Sequence, residues 1–574
     1  MSALATSTHS HLRVRLAGLF VIAAALWYVP WLLGHANWDA PWLSVPFVAA
    51  NLLVAASTVI TALNNWDRSV PPLLPVPEGA EPKVVIIIPT YGETSRMVQA
   101  TLASVLEQDW PHEQLVVVVS DDAHSAAMQT MVKEVQRRYR DPELVYFRPP
   151  PRSDPARRGE AKAGNLNAAL AFLRTQQPDV DFVETRDADD EVGDRSFLRQ
   201  AVGQLLSDDR IAYVQTIKEA RVAQRDPFGN QDPLFYRGAM LARHAANAVF
   251  PCGSGLIWRR AALDDIDGFP DWNLVEDLES GFEALRRGWR GVYLPIVGAV
   301  GQVAPEDIPN VYKQRGTWAL DSLRLVLWKE QTGLSLRQRL HFWELGLFYA
   351  MGLAVVVFAL TPAVALGFEV YPLVATQGSY ALRFWPFAAA IEVFLIALNS
   401  GHNYETLWRA RQMWMGMAPV YAKACLLALW YGPHDKPTYR VTRKDRRFAW
   451  YWRETVPQMA LVGIPATALI YGLLTTSLLD ELDLGSAYWA VFSTVFLAGF
   501  IRKGWLGVGW RAKALEALRP LFSRLEWWTG LPGLRGLNRL CSRFRERRAR
   551  VIDLRDENTV RRGALEPASI QDRS

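Results

Sequence analysis

The chain has 574 residues, of which half are apolar and 21% are charged, and its formal net charge is +5. That length allows a sizeable domain and more, and the small net charge does not indicate a nucleic-acid-binding protein. Apolar and charged residues must be segregated along the chain, which is typical of a membrane protein with a soluble domain. Cys252, Cys425 and Cys541 lack metal-ligand spacing and predict no disulfide framework.

Apolar runs predict six membrane spans. Each run is long enough, or nearly long enough, for a hydrocarbon core of roughly 30 Å. The first run lacks a small-residue cleavage site, so it is predicted to be a retained helix. The six runs are 16–33, 42–63, 342–366, 384–398, 456–474 and 488–500.

The distribution of basic residues predicts the orientation of these spans. Loops 35–41 and 475–487 contain no Lys or Arg, so both are predicted to lie outside, with the central domain and both termini in the cytoplasm. The apolar run 416–431 carries Lys423 at its middle. As a span it would put the basic segment 436–447 outside, so it is predicted to lie in the inner interface.

The C-terminal region is strongly basic. Residues 502–550 contain 13 Lys or Arg against 3 acids, with tryptophans interleaved. This composition predicts a helix on anionic inner-leaflet lipid, and the alternative is a solvated basic tail.

The cytoplasmic region begins with a βαβ pattern. The segments 82–93 and 114–125 each contain a continuous run of Val, Ile or Leu, which predicts strands covered on both faces, and the segment 96–108 between them is helical in pattern. The unit predicts a parallel sheet. Both runs end in polar residues, and ligands of such sheets bind beyond the carboxyl ends of the strands. Nucleotide binding is therefore the first hypothesis.

Further polar clusters follow along the chain. Lys162 and Gly164 precede a predicted amphipathic helix whose start suits a phosphate. Asp187 and Asp189 follow another strand, and such a pair can hold a divalent cation together with diphosphate oxygens, although a solvated acidic turn is the alternative. Residues 250–263 predict a Gly and Ser turn that enters a helix.

A second helix is predicted over residues 273–290. It starts with Glu276, Asp277 and Glu279, and acids in a first turn also suit the helix dipole.

The order of these motifs resembles that of the processive family 2 glycosyltransferases. Cellulose synthases are the most similar branch, and hyaluronan and chitin synthases are more distant. The resemblance covers about residues 80–500, and YRVTRK at 439–444 also resembles the gating-loop pattern F-x-V-T-x-K of cellulose synthases. The matching motifs are PTYGE, SDDAHS, KAGN, DAD, FPCGSG, VED and QRGTW.

The resemblance implies an α/β domain of the GT-A type, with a mixed or parallel nucleotide-binding sheet, inserted in an α-helical membrane domain. Residues 1–66 are predicted to form a cytoplasmic segment and two transmembrane helices, residues 67–309 the cytoplasmic glycosyltransferase domain, and residues 310–341 interfacial helices with QRGTW. Residues 342–501 are predicted to contain about four spans, with an interfacial helix at 403–431 and the gating loop at 432–447. Residues 502–574 are predicted to form the basic amphipathic tail.

The resemblance also implies a role for each matched residue. Asp277 matches the general base and, with Glu276 beside it, forms the predicted catalytic pair. Asp187 and Asp189 would also hold Mg²⁺ or Mn²⁺. The residues implied to bind the donor nucleotide are Thr90, Glu93, Asp121, Asp122, Lys162, Asp187 and Asp189.

The implied acceptor-binding residues are Cys252, Gly253, Gln314 and Trp318, where the indole would stack on the terminal sugar. The gating loop would close over the diphosphate and exclude water. Its matched residues are Tyr439, Val441, Thr442, Arg443 and Lys444.

Several positions depart from the family pattern. Thr317 stands where the family has Arg, and Arg315, two residues earlier, is expected to face a different side of a helix. Val275 replaces a Thr, and Ala123 replaces a common Gly. No counterpart of the cyclic-di-GMP-binding PilZ domain follows the last predicted span, so regulation by that nucleotide is not expected.

The resemblance implies a multi-pass enzyme of the bacterial inner membrane with a cytoplasmic catalytic domain. It would polymerise a β-linked polysaccharide, with β-glucan from UDP-glucose favoured, and translocate the product. The implied partners are the UDP-sugar donor, the growing polysaccharide, membrane lipid and a periplasmic export partner, with no nucleic acid.

Alternative functions stay open. A non-processive transferase would add one sugar to a lipid or short acceptor, and another synthase would use UDP-GlcNAc or GDP-mannose. A silent membrane scaffold or sugar-nucleotide sensor, and a transporter with Glu392 inside a span, belong to other classes.

Overall fold

The computed structural model describes residues 8–139, 141–155, 157–222, 228–230, 232–302, 304–305, 307–399, 404–435, 437, 451–475 and 484–506. Apart from Leu506, all of them belong to one compact unit. Three predicted features lie outside these ranges: Cys541, the tail beyond residue 506, and the gating-loop residues Tyr439, Val441, Thr442, Arg443 and Lys444.

A mixed sheet of eight strands forms the centre of the soluble region, in the order β3-β2-β1-β4-β7-β6-β8-β5. Strand β1 pairs in parallel with β2 and β4, and β2 pairs in parallel with β3, which confirms the predicted βαβ unit. The strands are β1 (Val84–Thr90), β2 (Leu115–Asp121), β3 (Glu143–Phe147), β4 (Phe182–Thr185), β5 (Asp190–Glu191), β6 (Ile211–Ala220), β7 (Leu256–Arg259) and β8 (Arg290–Gly301).

Helices pack on both faces of the sheet, as the continuous apolar strands predict. Ile86 and Ile88 share one buried cluster with Leu102, whereas Val85 shares the cluster on the other face with Leu166. The helices of this region are α3 (Ser95–Leu106), α4 (Ala126–Arg138), α5 (Ala161–Gln176), α6 (Phe197–Ser207), α7 (Met240–Ala245), α8 (Arg260–Asp265) and α9 (Glu276–Arg286).

Two local predictions need correction. The turn at 250–255 enters strand β7 and not a helix, because Leu256, Ile257 and Trp258 are buried between β4 and β6, to which β7 pairs in antiparallel orientation. Lys162 does not precede the helix as predicted. Helix α5 begins at Ala161, so Lys162 lies in its first turn.

Helix α10 (Ile308–Trp328) follows the sheet, with Asp307 as its N-cap, and carries the QRGTW motif. Further helices, most of them apolar, precede the sheet and follow α10. They are α1 (Thr8–Gly34), α2 (Pro41–Asn64), α11 (Leu336–Phe368), α12 (Gln377–Leu398), α13 (Tyr404–Gly416), α14 (Ala418–Tyr431), α15 (Val456–Thr475) and α16 (Leu484–Leu506).

Within the described ranges, five helices are long and apolar enough to cross a membrane, namely α1, α2, α11, α12 and α15. Helices α13 and α14 meet at a bend of 51° and would give a sixth span if the pair is counted as one. Helix α16 covers the predicted run 488–500 but is not among the five. The interfacial placement of 416–431 therefore stays a prediction.

An ion pair joins two helices that are neighbours in sequence order. Arg411 of α13 pairs with Glu392 of α12, the ionisable residue that the sequence places inside a span. The pairing gives Glu392 a role in helix packing, because a charge in an apolar surrounding requires a partner.

Candidate active site

The DAD motif lies where strand β4 ends, and two lysines flank its first carboxylate. Asp187 Oδ1 accepts a hydrogen bond from Lys162 Nζ at 2.7 Å, and Asp187 Oδ2 accepts one from Lys218 Nζ at 2.6 Å. Lys218 also lies 2.9 Å from Asp190 Oδ2. The structure thus joins the DAD and KAGN motifs and adds Lys218 from the far end of β6.

Charge pairing shifts the pKa values of these partly buried groups toward their ionised forms. Burial acts to raise the pKa of Asp187, but Lys162 and Lys218 outweigh burial and lower it. Burial acts to lower the pKa of Lys162, but Asp187, Glu276 and Asp277 raise it above its ordinary value. The result is a fixed pair of cations beside a carboxylate, which is an arrangement suited to a diphosphate.

The VED motif reaches the same lysine. Lys162 Nζ lies 3.1 Å from Glu276 Oε1 at the start of α9 and donates to the main-chain oxygen of Gly253 at 3.1 Å. A Cβ atom at Gly253 would lie 3.0 Å from Asp277 Oδ2 and 3.2 Å from Lys162 Nζ. The FPCGSG turn therefore packs directly on the predicted base, and its glycine has a φ of +81° that L side chains rarely adopt.

Asp277 has the environment of a general base. Burial, followed by the negative charge of Glu276, raises the pKa of Asp277 to about 7, and Lys162 opposes the shift. A carboxyl group with a pKa near neutrality accepts a proton from a hydroxyl more readily than an ordinary aspartate does.

The two N-terminal motifs lie at the neighbouring strand ends. Asp121 accepts four hydrogen bonds, from Thr90 Oγ1 at 3.0 Å, from the amides of Ala123 and Ser125 at 3.0 and 2.7 Å, and from the Tyr146 hydroxyl at 2.9 Å. Four bonds match the acceptor capacity of a carboxylate, so Asp121 shapes this turn.

The other two residues of these motifs are also engaged. Asp122 forms a two-pronged ion pair with Arg157, with both N–O distances at 2.8 Å. Glu93 Oε2 accepts the amide of Tyr91 at 2.6 Å. The structure places the predicted donor residues at one edge of the sheet, while their contact with a nucleotide stays a prediction.

Acidic residues outnumber lysines at this edge. Asp190 illustrates the excess, because burial raises its pKa, and Asp187 and Asp189 raise it further against the effect of Lys218. Among the described residues, no group of three or more His, Cys, Asp or Glu side chains could hold a metal by itself. The acids are Asp187, Asp189, Asp190, Glu276 and Asp277, against Lys162 and Lys218.

Helix α10 presents the predicted acceptor residues. The Trp318 side chain is 41% exposed, and the Arg315 guanidinium lies 5.9 Å from the centre of its ring. Arg315 also donates to the carbonyl of Gly229 at 2.7 Å. Thr317 Oγ1 donates to the Lys313 carbonyl of its own helix at 2.8 Å. Gln314 lies in the turn before Trp318, and an exposed indole of this kind can stack on a sugar ring.

Cys252, the other predicted acceptor residue with a side chain, lies in the turn before β7. Its amide donates to Gln215 Oε1 at 2.7 Å, and burial raises the pKa of the thiol. A contact of Cys252 with the acceptor sugar stays a prediction.

The comparison with known families gives the same assignment as the motifs. Residues 82–320 match the model described as "Glycosyltransferase like family 2". The chain is also similar to "Putative cellulose synthase 2" of Komagataeibacter xylinus, with 28% identity over 84% of this chain and 32% of the relative.

Two catalytic subunits show comparable similarity. "Cellulose synthase 1 catalytic subunit [UDP-forming]" of K. xylinus is 27% identical over 85% of this chain and 65% of its own length. "Cellulose synthase catalytic subunit [UDP-forming]" of Xanthomonas axonopodis pv. citri is 28% identical over 50% of this chain and 38% of its own length. The chain spans about a third to two thirds of the length of these curated relatives.

Among solved structures, the chain is similar to a mannosyltransferase from Pyrobaculum calidifontis in complex with GDP-Man and Mn²⁺. The identity is 22%, the TM-score is 0.48, and the match covers 67% of this chain and 99% of the mannosyltransferase. The sheet, the motif positions and the family match together identify residues 82–320 as a family 2 glycosyltransferase domain with a GT-A-like fold.

Proposed function

We propose that this glycosyltransferase is a processive, inverting enzyme that polymerises a β-linked polysaccharide from a UDP-sugar. The observation that supports the proposal is the meeting of Asp277, Lys162 and Asp187 at one edge of the sheet, because a carboxylate suited to accept a proton then lies near a lysine suited to bind a diphosphate. Helix α10, with its exposed Trp318, supplies a surface for the acceptor.

The chemical step is a single displacement at the anomeric carbon of the donor. The acceptor hydroxyl oxygen forms the new bond to that carbon while the bond from the carbon to the diphosphate oxygen breaks and its electron pair leaves with UDP. The hydroxyl proton passes to the Asp277 carboxylate. Lys162 and Lys218 lie where they would stabilise the negative charge of the departing diphosphate.

The residues at this edge fit a divalent cation. Five acids against two lysines leave an excess of negative charge, and Asp187 and Asp189 are the predicted ligands. Bound Mg²⁺ or Mn²⁺ would neutralise diphosphate charge.

The donor is proposed to be a UDP-sugar, with UDP-glucose favoured. The proposal rests on the motif order and on the similarity to proteins named as UDP-forming cellulose synthases. A synthase that uses UDP-GlcNAc or GDP-mannose is the alternative within the same chemistry.

We further propose that the product crosses the membrane through the chain's own helices. Helix α14 packs against α10 through a bond from Trp328 Nε1 to the Ala428 carbonyl at 2.8 Å, and its Tyr421 ring lies 5.1 Å from that of Tyr349 in α11. Arg315 of the acceptor helix interacts with Tyr421. These contacts support a path that leads from the acceptor helix into the apolar helices, with the catalytic domain in the cytoplasm.

The test uses the purified full chain in detergent or in lipid vesicles, with Mg²⁺ or Mn²⁺. Labelled UDP-glucose, UDP-GlcNAc and GDP-mannose are supplied separately, and products are sized and their linkage determined. We expect high-molecular-weight polymer from UDP-glucose and none from an Asp277→Asn variant. Failure of every donor to give polymer would contradict processive synthesis.

A non-processive transferase is the second candidate, and Thr317 favours it. Its hydroxyl bonds to its own helix, so this position does not offer the cationic side chain that the family pattern has. Product length separates the two candidates, because a single-sugar transferase would leave short products at all donor concentrations. Sizing the products of a Thr317→Arg variant shows whether this position limits chain length.

A further inference from the structure

A buried aspartate connects the acceptor helix to the segment that carries the predicted base. Asp321 lies in α10, three residues after Trp318, and is 1% exposed. Its Oδ2 accepts the amide of Val275 at 2.8 Å and its Oδ1 accepts the amide of Leu274 at 3.3 Å. The Asp321 carbonyl accepts Asn273 Nδ2 at 3.2 Å.

These bonds lie directly before α9. Val275 is the N-cap of that helix, and Asp277 follows two residues later in its first turn. A shift of residues 273–275 would therefore displace the Asp277 carboxylate, which already packs against Gly253 on its other side.

Asp321 stands one helical turn after Thr317, on the same side of α10. The Thr317 hydroxyl is engaged by the Lys313 carbonyl of its own helix. Thr317 therefore does not connect α10 to the start of α9. Asp321, one turn further along, makes that connection through the amides of Leu274 and Val275.

Arg324 reinforces the connection from the next turn of α10. Its Nη1 donates to the carbonyl of Trp272 and to Asn273 Oδ1, both at 3.2 Å, and its guanidinium lies 4.3 Å from the centre of the Trp272 ring. Its Nη2 donates to the carbonyl of Asp435 at 2.9 Å. Trp272 Nε1 donates to the carbonyl of Pro433 at 2.8 Å, so residues after α14 join the same network.

A buried carboxylate needs a reason beyond stability. Burial raises the pKa of Asp321 to about 8, although the amides of Leu274 and Val275 act to lower it, so this carboxyl group is costly to keep in the interior. An apolar side chain of similar volume often serves the fold equally well. Unlike an apolar side chain, Asp321 forms directional hydrogen bonds, and its two oxygens hold the amides of Leu274 and Val275 at defined positions. Such bonds are suited to holding the start of α9 in a fixed position against α10.

We infer that Asp321 is a positioning residue of the transfer reaction: from the acceptor-binding helix it fixes the backbone before α9 and so sets the distance between the base and the acceptor. The inference rests on the proposed function, in which Asp277 accepts the acceptor proton. It assigns Asp321 no contact with the donor nucleotide.

The test compares Asp321→Asn and Asp321→Ala with Asp307→Asn in the full chain. The asparagine keeps the shape but turns an amide group toward a main-chain amide, so one bond to α9 is lost. Asp307 is a matched control, because it is 4% exposed, belongs to the same helix and accepts the Asn310 amide at 2.9 Å, far from α9 in sequence.

We expect the two Asp321 variants to lower kcat for transfer on the order of 100-fold, because misplacement of a reacting group by about 1 Å has that effect. The KM for the donor and the binding of UDP in calorimetry are expected to stay within about twofold of the wild type. Asp307→Asn is expected to keep the wild-type kcat. Thermal unfolding in detergent verifies that each variant is folded.

The outcomes separate this inference from the proposed function. Wild-type kcat in a folded Asp321→Asn or Asp321→Ala variant, alongside an inactive Asp277→Asn variant, overturns the positioning role and leaves the proposed function standing. An equal loss in Asp307→Asn and Asp321→Asn, or weaker UDP binding, also overturns it, because a general structural role then explains the loss. A wild-type chain that is inactive with every donor overturns both.

Discussion

Lys218 Nζ lies 2.6 Å from Asp187 Oδ2, so the first carboxylate of the DAD motif shares its charge with a lysine from another strand. The same lysine is 2.9 Å from Asp190, and Lys162 occupies the other oxygen of Asp187. On the donor side of the site, Asp187 and Asp190 are therefore paired with Lys162 and Lys218.

Loss of Lys218 is expected to disable the donor site. In Lys218→Met, Asp187 and Asp190 lose a shared partner, and the departing diphosphate loses a cation, so we expect kcat to fall about 100-fold. Product formation at saturating UDP-glucose measures the effect. The control is Lys83→Met, because Lys83 bonds to Gln177 Oε1 away from the site. Wild-type turnover in Lys218→Met would remove this residue from the mechanism.

The acid side of the pH–rate profile should report Asp277. Burial and the charge of Glu276 raise the pKa of Asp277 to about 7, and only the deprotonated form accepts a proton. We therefore expect kcat/KM to rise with pH and to reach half its plateau near pH 7.

A neighbouring substitution identifies the titrating group. Glu276→Gln removes a negative charge that raises the pKa of Asp277, so the acid limb is expected to move to lower pH. Glu283→Gln, two turns further along α9 and paired with Lys329 and Arg286, serves as the control and is expected to leave the limb in place. An unchanged profile in Glu276→Gln would assign the limb to another group.

The close packing at Gly253 can be tested by comparison with Gly79, a glycine of nearly the same φ angle. Gly253→Ala places a methyl group 3.0 Å from Asp277 Oδ2, whereas Gly79, with a nearly identical φ of +82°, has no atom within 4 Å of such a group. Both substitutions are expected to destabilise the fold by about 1–2 kcal/mol through the left-handed backbone. Only Gly253→Ala is expected to lower turnover, on the order of 100-fold. Equal turnover in the two variants would contradict the close contact.

Metal binding should depend on Asp189. In Asp189→Asn we expect Mn²⁺ binding in the presence of UDP, followed by electron paramagnetic resonance, to weaken by more than about tenfold. Asp194→Asn is the control, because Asp194 bonds to Ser196 in the next loop. Unchanged Mn²⁺ binding in Asp189→Asn would place the cation on other residues.

The ion pair between α12 and α13 predicts a non-additive effect on stability. Glu392→Gln alone removes the carboxylate that pairs with Arg411, and Arg411→Gln alone removes the cation that pairs with Glu392. We expect each single variant to lower the Tm in detergent more than the double variant does. Additive losses would show that the pair does not couple the helices.

The sequence predicts the soluble fold well where physical signals are local. The apolar runs at β1 and β2 can only be covered on both faces, and motif order places PTYGE, SDDAHS and DAD at neighbouring strand ends. The family resemblance supplies Asp277 and Lys162, and the structure brings both beside Gly253.

The remaining features depend on contacts between distant segments. Lys218 is a single lysine at the end of a strand, and only the parallel pairing of β6 with β8 and the position of β5 bring it to the DAD turn. Asp321 lies 46 residues from the amide of Val275 that it binds. The prediction that the turn at 250–255 enters a helix is wrong at LIWR, because four residues carry little periodicity and the pairing of β7 with β4 and β6 makes the run a strand.

The anchoring of the segment after α14 has a consequence for sequence variation. Trp272 and Arg324 hold this segment by the main-chain carbonyls of Pro433 and Asp435, and every amino acid supplies a carbonyl. Side chains at these positions are therefore free to diverge among related proteins without loss of the anchor. The length of the segment is not free, because one inserted or deleted residue would move both carbonyls out of register with their donors.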